Sequence, residues 1–95
     1  MTFTWDPSKA ESNEQHHGIA FVDATSVFHD DYAMSQEDVR AEGEARYVVM
    51  GMDRFGRLLV VVYTYRGTDT IRIISARQAT RRERRHYEQN RERHG

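Results

Sequence analysis

Cysteine is absent from this 95-residue chain, and proline and lysine each occur once. Without cysteine there can be no disulfide, no zinc–cysteine site and no cysteine nucleophile. Long hydrophobic runs are also missing: the longest, Leu58 to Tyr63, is far shorter than the roughly 20 residues that span a bilayer. The first residues, Met1 to Asp6, include neither a basic region nor an apolar stretch, so no secretory signal is predicted. We therefore expect one small soluble domain, residues 1–95, in the cytoplasm.

The net charge of −1 conceals two halves of opposite sign. Residues 1–53 carry 11 acidic and 3 basic side chains, a balance of −8, and residues 54–95 carry 4 acidic and 11 basic ones, a balance of +7. Every basic residue except Lys9 is arginine. The planar guanidinium binds phosphate or carboxylate through two parallel hydrogen bonds, so the basic half suits a partner that carries such groups.

Two helices are predicted in the first third of the chain. The first runs from Pro7 to His17, because Asp6 can cap its start and Gly18 can end it in the left-handed conformation. Apolar side chains recur at three- and four-residue steps from Phe21 to Phe28, which predicts a second helix with one packing face. Residues 29–43 are polar, acidic and aperiodic, and we interpret them as a long connection.

Three antiparallel strands are predicted in the second half, at Arg46–Met52, Arg57–Tyr65 and Thr70–Ala76, because only short turns separate them. A short extended piece, Thr2–Trp5, lies near the other end of the chain. Both faces of the middle strand are apolar. We expect this strand to be central in the sheet and covered on each side by helices or by a partner.

A C-terminal helix is predicted to begin at the capping box Thr80-Arg81-Arg82-Glu83. The segment 79–95 is basic, and Tyr87 is the only large apolar side chain in the helix, so we expect it to fray or to be ordered by a ligand. The element order is therefore β-α-α-β-β-β-α. This order indicates a compact α+β fold in which helices flank a small antiparallel sheet.

The residues favour chemistry that needs neither a cofactor nor a metal. The chain has no phosphate-binding glycine loop, nucleophile elbow or HExxH helix. His29-Asp30-Asp31 is a poor metal site, because adjacent residues in a polar loop cannot easily converge on one ion. Metal-independent RNA cleavage needs only a base, an acid and cations that stabilise the phosphoryl oxygens. Arg72 and Arg77 are candidate cations. The candidate proton carriers are Lys9, His17, Glu44, Glu83, His86 and Tyr87.

Strand geometry limits how the two arginines can act together. Arg72 and Arg77 would lie on opposite faces of a regular strand, because side chains alternate with a period of two. They share a site only if the strand ends or contains a bulge between them.

Two separated motifs resemble the BrnT family of toxins. The first is Phe3-x-Trp5-Asp6-x-x-Lys9-x-x-x-Asn13-x-x-x-His17-Gly18-Ile19-x-Phe21. The second comprises Glu44-x-Arg46, Gly56-Arg57-Leu58-Leu59-Val60-Val61-Val62 and Ile71-Arg72-Ile73-Ile74-Ser75-Ala76-Arg77-x-Ala79-Thr80-x-x-Glu83-Arg84-x-x-Tyr87. The resemblance covers residues 3–87. It implies a RelE-like fold and a metal-independent endoribonuclease toxin of a type II toxin–antitoxin system, which inhibits translation by cleaving RNA.

The resemblance also implies partners and residue roles. The partners are the RNA substrate and a BrnA-like, DNA-binding antitoxin that neutralises the toxin in a hetero-oligomer. Among the catalytic candidates, Arg72 and Arg77 would hold the scissile phosphate, and Lys9 would contact phosphate or act as a base. Glu44 would line the site, and Tyr87 would stack on a base or orient another group. The RNA-binding candidates are His17, Arg46, Arg81 and Arg82. No cofactor or metal is implied.

Structural roles remain open for several of these residues. His17 could cap its helix, Arg77 could pair with Glu44 or Glu83, and Tyr87 could be the packing anchor of its helix. Two alternative functions also remain open. One is a non-catalytic module that docks a partner or a second copy, and the other is a degenerate toxin that only binds its antitoxin.

Overall fold

The computed structural model of the protein describes residues 1–40 and 42–94, so Ala41 of the predicted connection and Gly95 of the predicted C-terminal helix lie outside the described residues. The elements follow the chain in the order β1 Thr2–Thr4, α1 Pro7–His17, α2 Phe21–Ala24, β2 Met34–Glu37, β3 Tyr47–Met52, β4 Leu58–Arg66, β5 Thr70–Gln78 and α3 Arg81–His94. This is an α+β fold, as predicted, with one strand more than the sequence indicated. None of the helices in the described part of the chain has the length and apolar character needed to cross a membrane.

The strands form one mixed sheet in the spatial order β1-β5-β4-β3-β2. β3, β4 and β5 pair antiparallel, and their bounds lie within two residues of the predicted ones. The prediction of a purely antiparallel sheet is wrong, because β1 runs parallel to β5, with Phe3 opposite Ile71. No short turn connects β1 to β5, so the local sequence does not fix their relative direction.

Part of the segment that we predicted to be a long connection is a strand. β2, Met34–Glu37, pairs antiparallel with β3 and forms an edge of the sheet. Its last three side chains are polar and exposed, so the segment has no apolar alternation that would reveal a strand in the sequence. Backbone pairing with β3 holds β2 in place.

The N-terminal helices follow the prediction in α1 and differ from it in α2. Asp6 caps α1 through a 2.9 Å hydrogen bond from a backbone N–H, and Gly18 ends it with a φ of 71°. The second helix is α-helical only to Ala24 and continues as a 3-10 helix, Thr25–His29. Two hydroxyl side chains of the 3-10 segment donate to carbonyls three residues earlier, and such bonds compete with α-helical pairing.

Asn13 joins α1 to the edge of the sheet. Its side-chain amide donates to the carbonyls of Ile19 and Ala76, at 3.0 and 2.8 Å, and its oxygen accepts from the Ala76 N–H at 3.0 Å. Ala76 lies in β5 beyond the residues that pair with β1. A single buried side chain therefore takes the place of a neighbouring strand at this position.

One face of the sheet forms the hydrophobic core beneath α1, α2 and the 3-10 helix. Its buried side chains come from α2, the 3-10 helix, the loop before α2 and the three central strands; they are Ile19, Phe21, Ala24, Val27, Val49, Leu59, Val61, Tyr63, Ile71, Ile73 and Ala76. Burial of this continuous apolar surface provides most of the driving force for folding.

The opposite face of β4 is also apolar, and α3 covers part of it. Leu58 and Val60 alternate with the core residues of β4 and are buried. Tyr87, in the middle of α3, is 1% exposed, and its hydroxyl donates to the carboxylate of Asp30 at 2.5 Å. Both faces of the middle strand are therefore apolar, as predicted, but α3 covers the second face only in part.

The capping box predicted at the start of α3 is present. The Thr80 N–H donates to Glu83 Oε1 at 2.8 Å, and the Glu83 N–H donates to Thr80 Oγ1 at 3.2 Å. This end of α3 lies beside the end of β5, where Arg77 contacts Glu83. The cap therefore brings a charged side chain of α3 to the sheet face opposite the core.

Candidate active site

A β-bulge in β5 decides where the two candidate arginines lie. Ile74 is an extra residue in β5 with no residue opposite it in β4. Arg77 is opposite Val60, and Arg72 is opposite Thr64. Val60 and Thr64 are an even number of positions apart on one strand, so these two side chains and the two arginines share a face. This is the face that α3 partly covers, and it satisfies the condition set by the sequence for a common site.

One β5 side chain lies between the two arginines on this face. Ser75 lies between them in β5, opposite Val62. Their backbones are separated by four strand positions of β4, or roughly 13 Å at about 3.3 Å per residue. Two long guanidinium side chains can converge over such a distance or contact successive phosphates of one strand.

Arg77 and Glu83 form a two-pronged ion pair. The two terminal nitrogens of Arg77 donate to Oε1 and Oε2 of Glu83 at 2.8 and 2.9 Å. These hydrogen bonds lower the pKa of Glu83 to about 2. Of the two partners left open by the sequence, Glu83 is therefore the one that Arg77 contacts. The Arg77 side chain is still 40% exposed, so its pairing leaves it accessible to a ligand.

A groove runs along the second face between α3 and the segment that follows β2. One part of it, about 350 Å³, is lined by apolar side chains of the sheet, polar side chains of β5 and α3, and the segment 36–40; the sheet and α3 residues are Val48, Val60, Val62, Ser75, Arg77 and Glu83. A neighbouring part, about 280 Å³, shares Gln36, Val48, Val60 and Glu83 with the first and adds Met34, Ser35, Met50 and His86. The groove therefore combines an apolar surface with a cation that is held in a defined orientation.

Arg46 and Arg72 lie near the end of this face that is farther from α3. Arg46 directly precedes β3 and is half-buried, and its buried Nε has no hydrogen-bond partner among the described residues. Hydrogen bonds from Ser8 and, more weakly, the charge of Arg72 hold the pKa of Asp6 below its ordinary value, so Arg72 lies near the start of α1. Within residues 1–40 and 42–94, neither arginine forms an ion pair. Both can therefore accept an anionic ligand without first losing a carboxylate.

Glu44 is engaged elsewhere. It lies in the loop before β3, and its carboxylate is 3.0 Å from a guanidinium nitrogen of Arg66 at the end of β4. Both side chains are more than two-fifths exposed. Glu44 thus neither pairs with Arg77 nor lines the groove described above.

Lys9 and His17 lie together on α1, in a different cleft. This cleft follows the outer edge of β5, and His16 and Ile74 line it as well. It shares no lining residue with the groove that contains Arg77. The structure therefore does not place Lys9 and His17 in that groove. Ile74, which lines their cleft, directly precedes Ser75, which lines the groove.

The side chain of Tyr87 is enclosed by the protein and hydrogen-bonded to Asp30. Burial, together with the hydrogen bond to the Asp30 carboxylate, raises the pKa of Tyr87 to about 12. Burial works to raise the pKa of Asp30, but hydrogen bonds from the Met52 N–H and from Tyr87 outweigh it and hold that pKa below its ordinary value. The predicted stacking of Tyr87 on a base is not possible in this conformation, because the ring is enclosed. The packing-anchor role is the one that the geometry supports.

Arg81 and Arg82 are exposed in the first turn of α3, next to Glu83 and the mouth of the groove. His86, one helical turn after Glu83, lines the groove itself. From the sequence, His86 is one of several candidate proton carriers, and its three-residue spacing from the capping Glu83 places it on the same side of the helix. In the part of the chain that the structure describes, no three histidine, aspartate or glutamate side chains group as a metal site.

Comparisons with known proteins agree with this architecture. The 1.1 Å crystal structure of the Brucella abortus ribonuclease toxin BrnT is similar to this chain with a TM-score of 0.64 and 20% sequence identity. The alignment covers 85% of this chain and 99% of that one, and it shows a shared fold. No curated protein matches the chain. The model of the BrnT family, the ribonuclease toxins of type II toxin–antitoxin systems, matches residues 5–83. Because that match covers most of the sequence, the chain belongs to the BrnT family of ribonuclease toxins.

Proposed function

We propose that the second face of the sheet contains the ribonuclease site of this toxin and that Arg77, in the groove, and Arg72, on the same face but outside the groove, bind the scissile region of the RNA. The observation that carries the proposal is the bulge at Ile74, which puts both arginines on one solvent-accessible face. Glu83 orients the Arg77 guanidinium through two hydrogen bonds. A cation fixed in this way is well placed to stabilise charge that develops on the phosphoryl oxygens.

The proposed substrate is single-stranded RNA, cleaved without a metal ion. The 2′-oxygen attacks the adjacent phosphorus, a new P–O2′ bond forms, and the P–O5′ bond breaks. One proton leaves the 2′-hydroxyl and one is delivered to the departing 5′-oxygen. Apolar side chains of β3 and β4 beside Arg77 would accommodate a base, since every base presents an apolar face.

The remaining candidates have peripheral roles in this proposal. Arg46, Arg81 and Arg82 would bind phosphates on either side of the cleaved bond, and Lys9 and His17 would contact more distant phosphates from their own cleft. Glu44 would act indirectly, by holding Arg66. These contacts would make RNA binding weaken steeply as the salt concentration rises.

Membership of a type II toxin–antitoxin family gives the protein an antitoxin as its partner. We further propose that this partner is a BrnA-like, DNA-binding protein and that the two form a hetero-oligomer in the cytoplasm. In this account the antitoxin acts by denying RNA access to the second face of the sheet.

Two assays test the proposal. Expression of the chain alone should arrest growth, and co-expression of the antitoxin encoded beside it should restore growth. Purified protein should cleave a single-stranded RNA in the presence of EDTA. Arg77→Ala should remove both effects, whereas Arg54→Ala, which changes an exposed arginine in the β3–β4 turn, should remove neither.

A non-catalytic module would give a different result in the same assays. It would bind RNA or ignore it, but it would leave the RNA intact. A degenerate toxin would bind its antitoxin and leave growth unaffected. Either result would contradict the proposed site.

A further inference from the structure

We propose that His86 is a catalytic residue that transfers a proton during RNA cleavage. This inference rests on the proposed function and deepens it, because a site built from arginines alone has cations but no group suited to exchanging protons near neutral pH. Histidine is the side chain whose ordinary pKa lies in that range.

The first observation is the position of His86 on α3. His86 and Tyr87 lie three and four residues after Glu83, so both are on the same side of α3 as Glu83. Tyr87 is buried against the sheet, and Glu83 contacts Arg77. His86 is therefore held beside the groove by a buried anchor in the next position and by an ion pair one turn earlier.

The second observation is which groups share the groove with His86. The part of the groove that His86 lines is also lined by Met50 and Val60 from β3 and β4, by Ser35 from β2 and by Glu83 from α3. Glu83 also lines the adjoining part, which contains Arg77 and Ser75. Glu83 lies one helical turn before His86, so an RNA strand whose phosphate contacts Arg77 would pass close to the imidazole of His86.

The third observation is that the other titratable candidates are poorly suited to proton transfer here. Glu83 has a pKa of about 2 because Arg77 holds it ionised, and Tyr87 is enclosed with a pKa of about 12. Lys9 and His17 line the separate cleft on α1. Of the histidines, His86 is the one that lines the groove.

The charged groups around the groove are mixed in sign. The end of β2 and the segment after it present Glu37, Asp38 and Arg40, β5 presents Arg77, and α3 presents Glu83. Arg82 and Arg85 flank His86 along α3. A phosphate entering this groove would therefore meet both cations and carboxylates.

The chemical step balances in either of two ways. As the acid, protonated His86 gives its proton to the 5′-oxygen while the P–O5′ bond breaks and the P–O2′ bond forms, and solvent water takes the proton of the 2′-hydroxyl. As the base, neutral His86 takes the proton of the 2′-hydroxyl while the same bonds change, and solvent water gives a proton to the 5′-oxygen. Neither route requires an oxidant, a metal or a reactant other than water.

The test compares His86→Ala with the wild-type protein, in EDTA, on two RNA oligonucleotides. One has the natural 5′-oxygen at the cleaved bond, and the other has a bridging 5′-sulfur, a leaving group that needs no protonation. His94→Ala is the matched control, because His94 is an exposed histidine on the same helix but outside the groove. Thermal unfolding checks that each variant folds.

We expect His86→Ala to slow cleavage of the natural RNA by roughly 100- to 10,000-fold, the usual range for loss of a general acid or base, and His94→Ala to leave it unchanged. If His86 is the acid, the sulfur substrate restores the rate of His86→Ala. If it is the base, both substrates are cut slowly, and the limb of the pH–rate profile that rises with pH disappears.

Equal rates for His86→Ala and wild type on the natural RNA would overturn the inference. In that case, loss of cleavage by Arg77→Ala in the same experiment would leave the proposed site standing. If the wild-type protein cut neither substrate, the proposed function itself would fail, so the two failures are distinguishable.

Discussion

On one face of β4, Leu59, Val61 and Tyr63 are enclosed by α1, α2 and the 3-10 helix, and each is at most 4% exposed. On the other face, Val60 and Val62 lie beside a groove, and α3 covers only part of the surface. The same strand thus contributes to an enclosed core and to an open groove. If the groove is the proposed site, one face determines stability and the other determines activity.

The difference between the faces follows from the helices that cover them. The core-face helices pack through apolar side chains such as Phe21 and Val27. α3 has a single buried side chain, Tyr87, and is otherwise held by polar contacts at Asp30 and Arg77. A helix attached in this way leaves cations and a groove accessible at modest cost in stability.

The largest expected effect is a loss of RNA cleavage when both arginines on the open face are replaced. Arg72→Ala combined with Arg77→Ala should reduce RNA cleavage by roughly 1,000-fold or more, because each removes a charge-stabilising donor typically worth about 100- to 1,000-fold. Unfolding free energy should fall by no more than about 2 kcal/mol, since the Arg77 pair is partly exposed. Cleavage rates and urea unfolding measure the two quantities. A double variant with full activity would contradict the proposed division between the faces.

The next largest expected effect is a loss of unfolding free energy when a side chain between α1 and β5 is removed. Asn13→Ala should lower the unfolding free energy by about 2–4 kcal/mol, because it leaves the N–H and carbonyl of Ala76 without their buried partner. Cleavage per folded molecule should be unchanged. Ser12→Ala, at an exposed neighbour on α1, is the control in urea unfolding. Equal stability of the two variants would show that Asn13 is not the link between α1 and the sheet.

A smaller change in stability should show whether α3 can unfold locally while the core stays folded. Tyr87→Phe keeps the buried ring but removes the hydrogen bond to Asp30, and it should cost about 1–2 kcal/mol. Amide hydrogen exchange should become faster in α3 and stay slow in β4. Acceleration that spread evenly over both elements would mean that α3 and the core unfold as one unit.

The smallest expected effect is a loss of unfolding free energy at acidic pH, where the carboxylate of Glu83 becomes protonated. The folded-state pKa of Glu83 is about 2, below its ordinary value of 4.5, so its ion pair contributes fully above about pH 4.5 and is lost as the pH falls toward 2. The stability difference between wild type and Glu83→Gln should therefore shrink over that interval. Urea unfolding at several pH values measures it. A difference that does not change between pH 5 and 2 would exclude Glu83 as the titrating group.

The sequence predicted those parts of the fold that depend on local chemistry. Asp6, Gly18 and the Thr80–Glu83 capping box act at helix ends, and the short turns determine the antiparallel pairing of β3, β4 and β5. β1 and β2 depend on pairing with distant residues. Their few residues carry no period that would reveal a partner or a direction.

The candidate site was predicted by residue type rather than by position. Arg72 and Arg77 stand out as cations near the end of a strand, but their common face depends on the bulge at Ile74, which becomes apparent only from pairing with β4. The surroundings of Tyr87 and His86 depend on how α3 docks, and α3 has too little apolar surface for the sequence to predict that docking. Residue type alone also groups Lys9 with the arginines, but its helix places it in another cleft.

NMR titration of the protein tests most directly whether RNA binds the second face of the sheet. The ligand is an RNA oligonucleotide with a 2′-deoxy residue at the cleavage position, which can bind but cannot react. We predict that the largest amide shift changes occur at Arg46, Arg72, Ser75 and Arg77. Changes confined to the α1 cleft around Lys9 and His17, with the second face unaffected, would contradict the account.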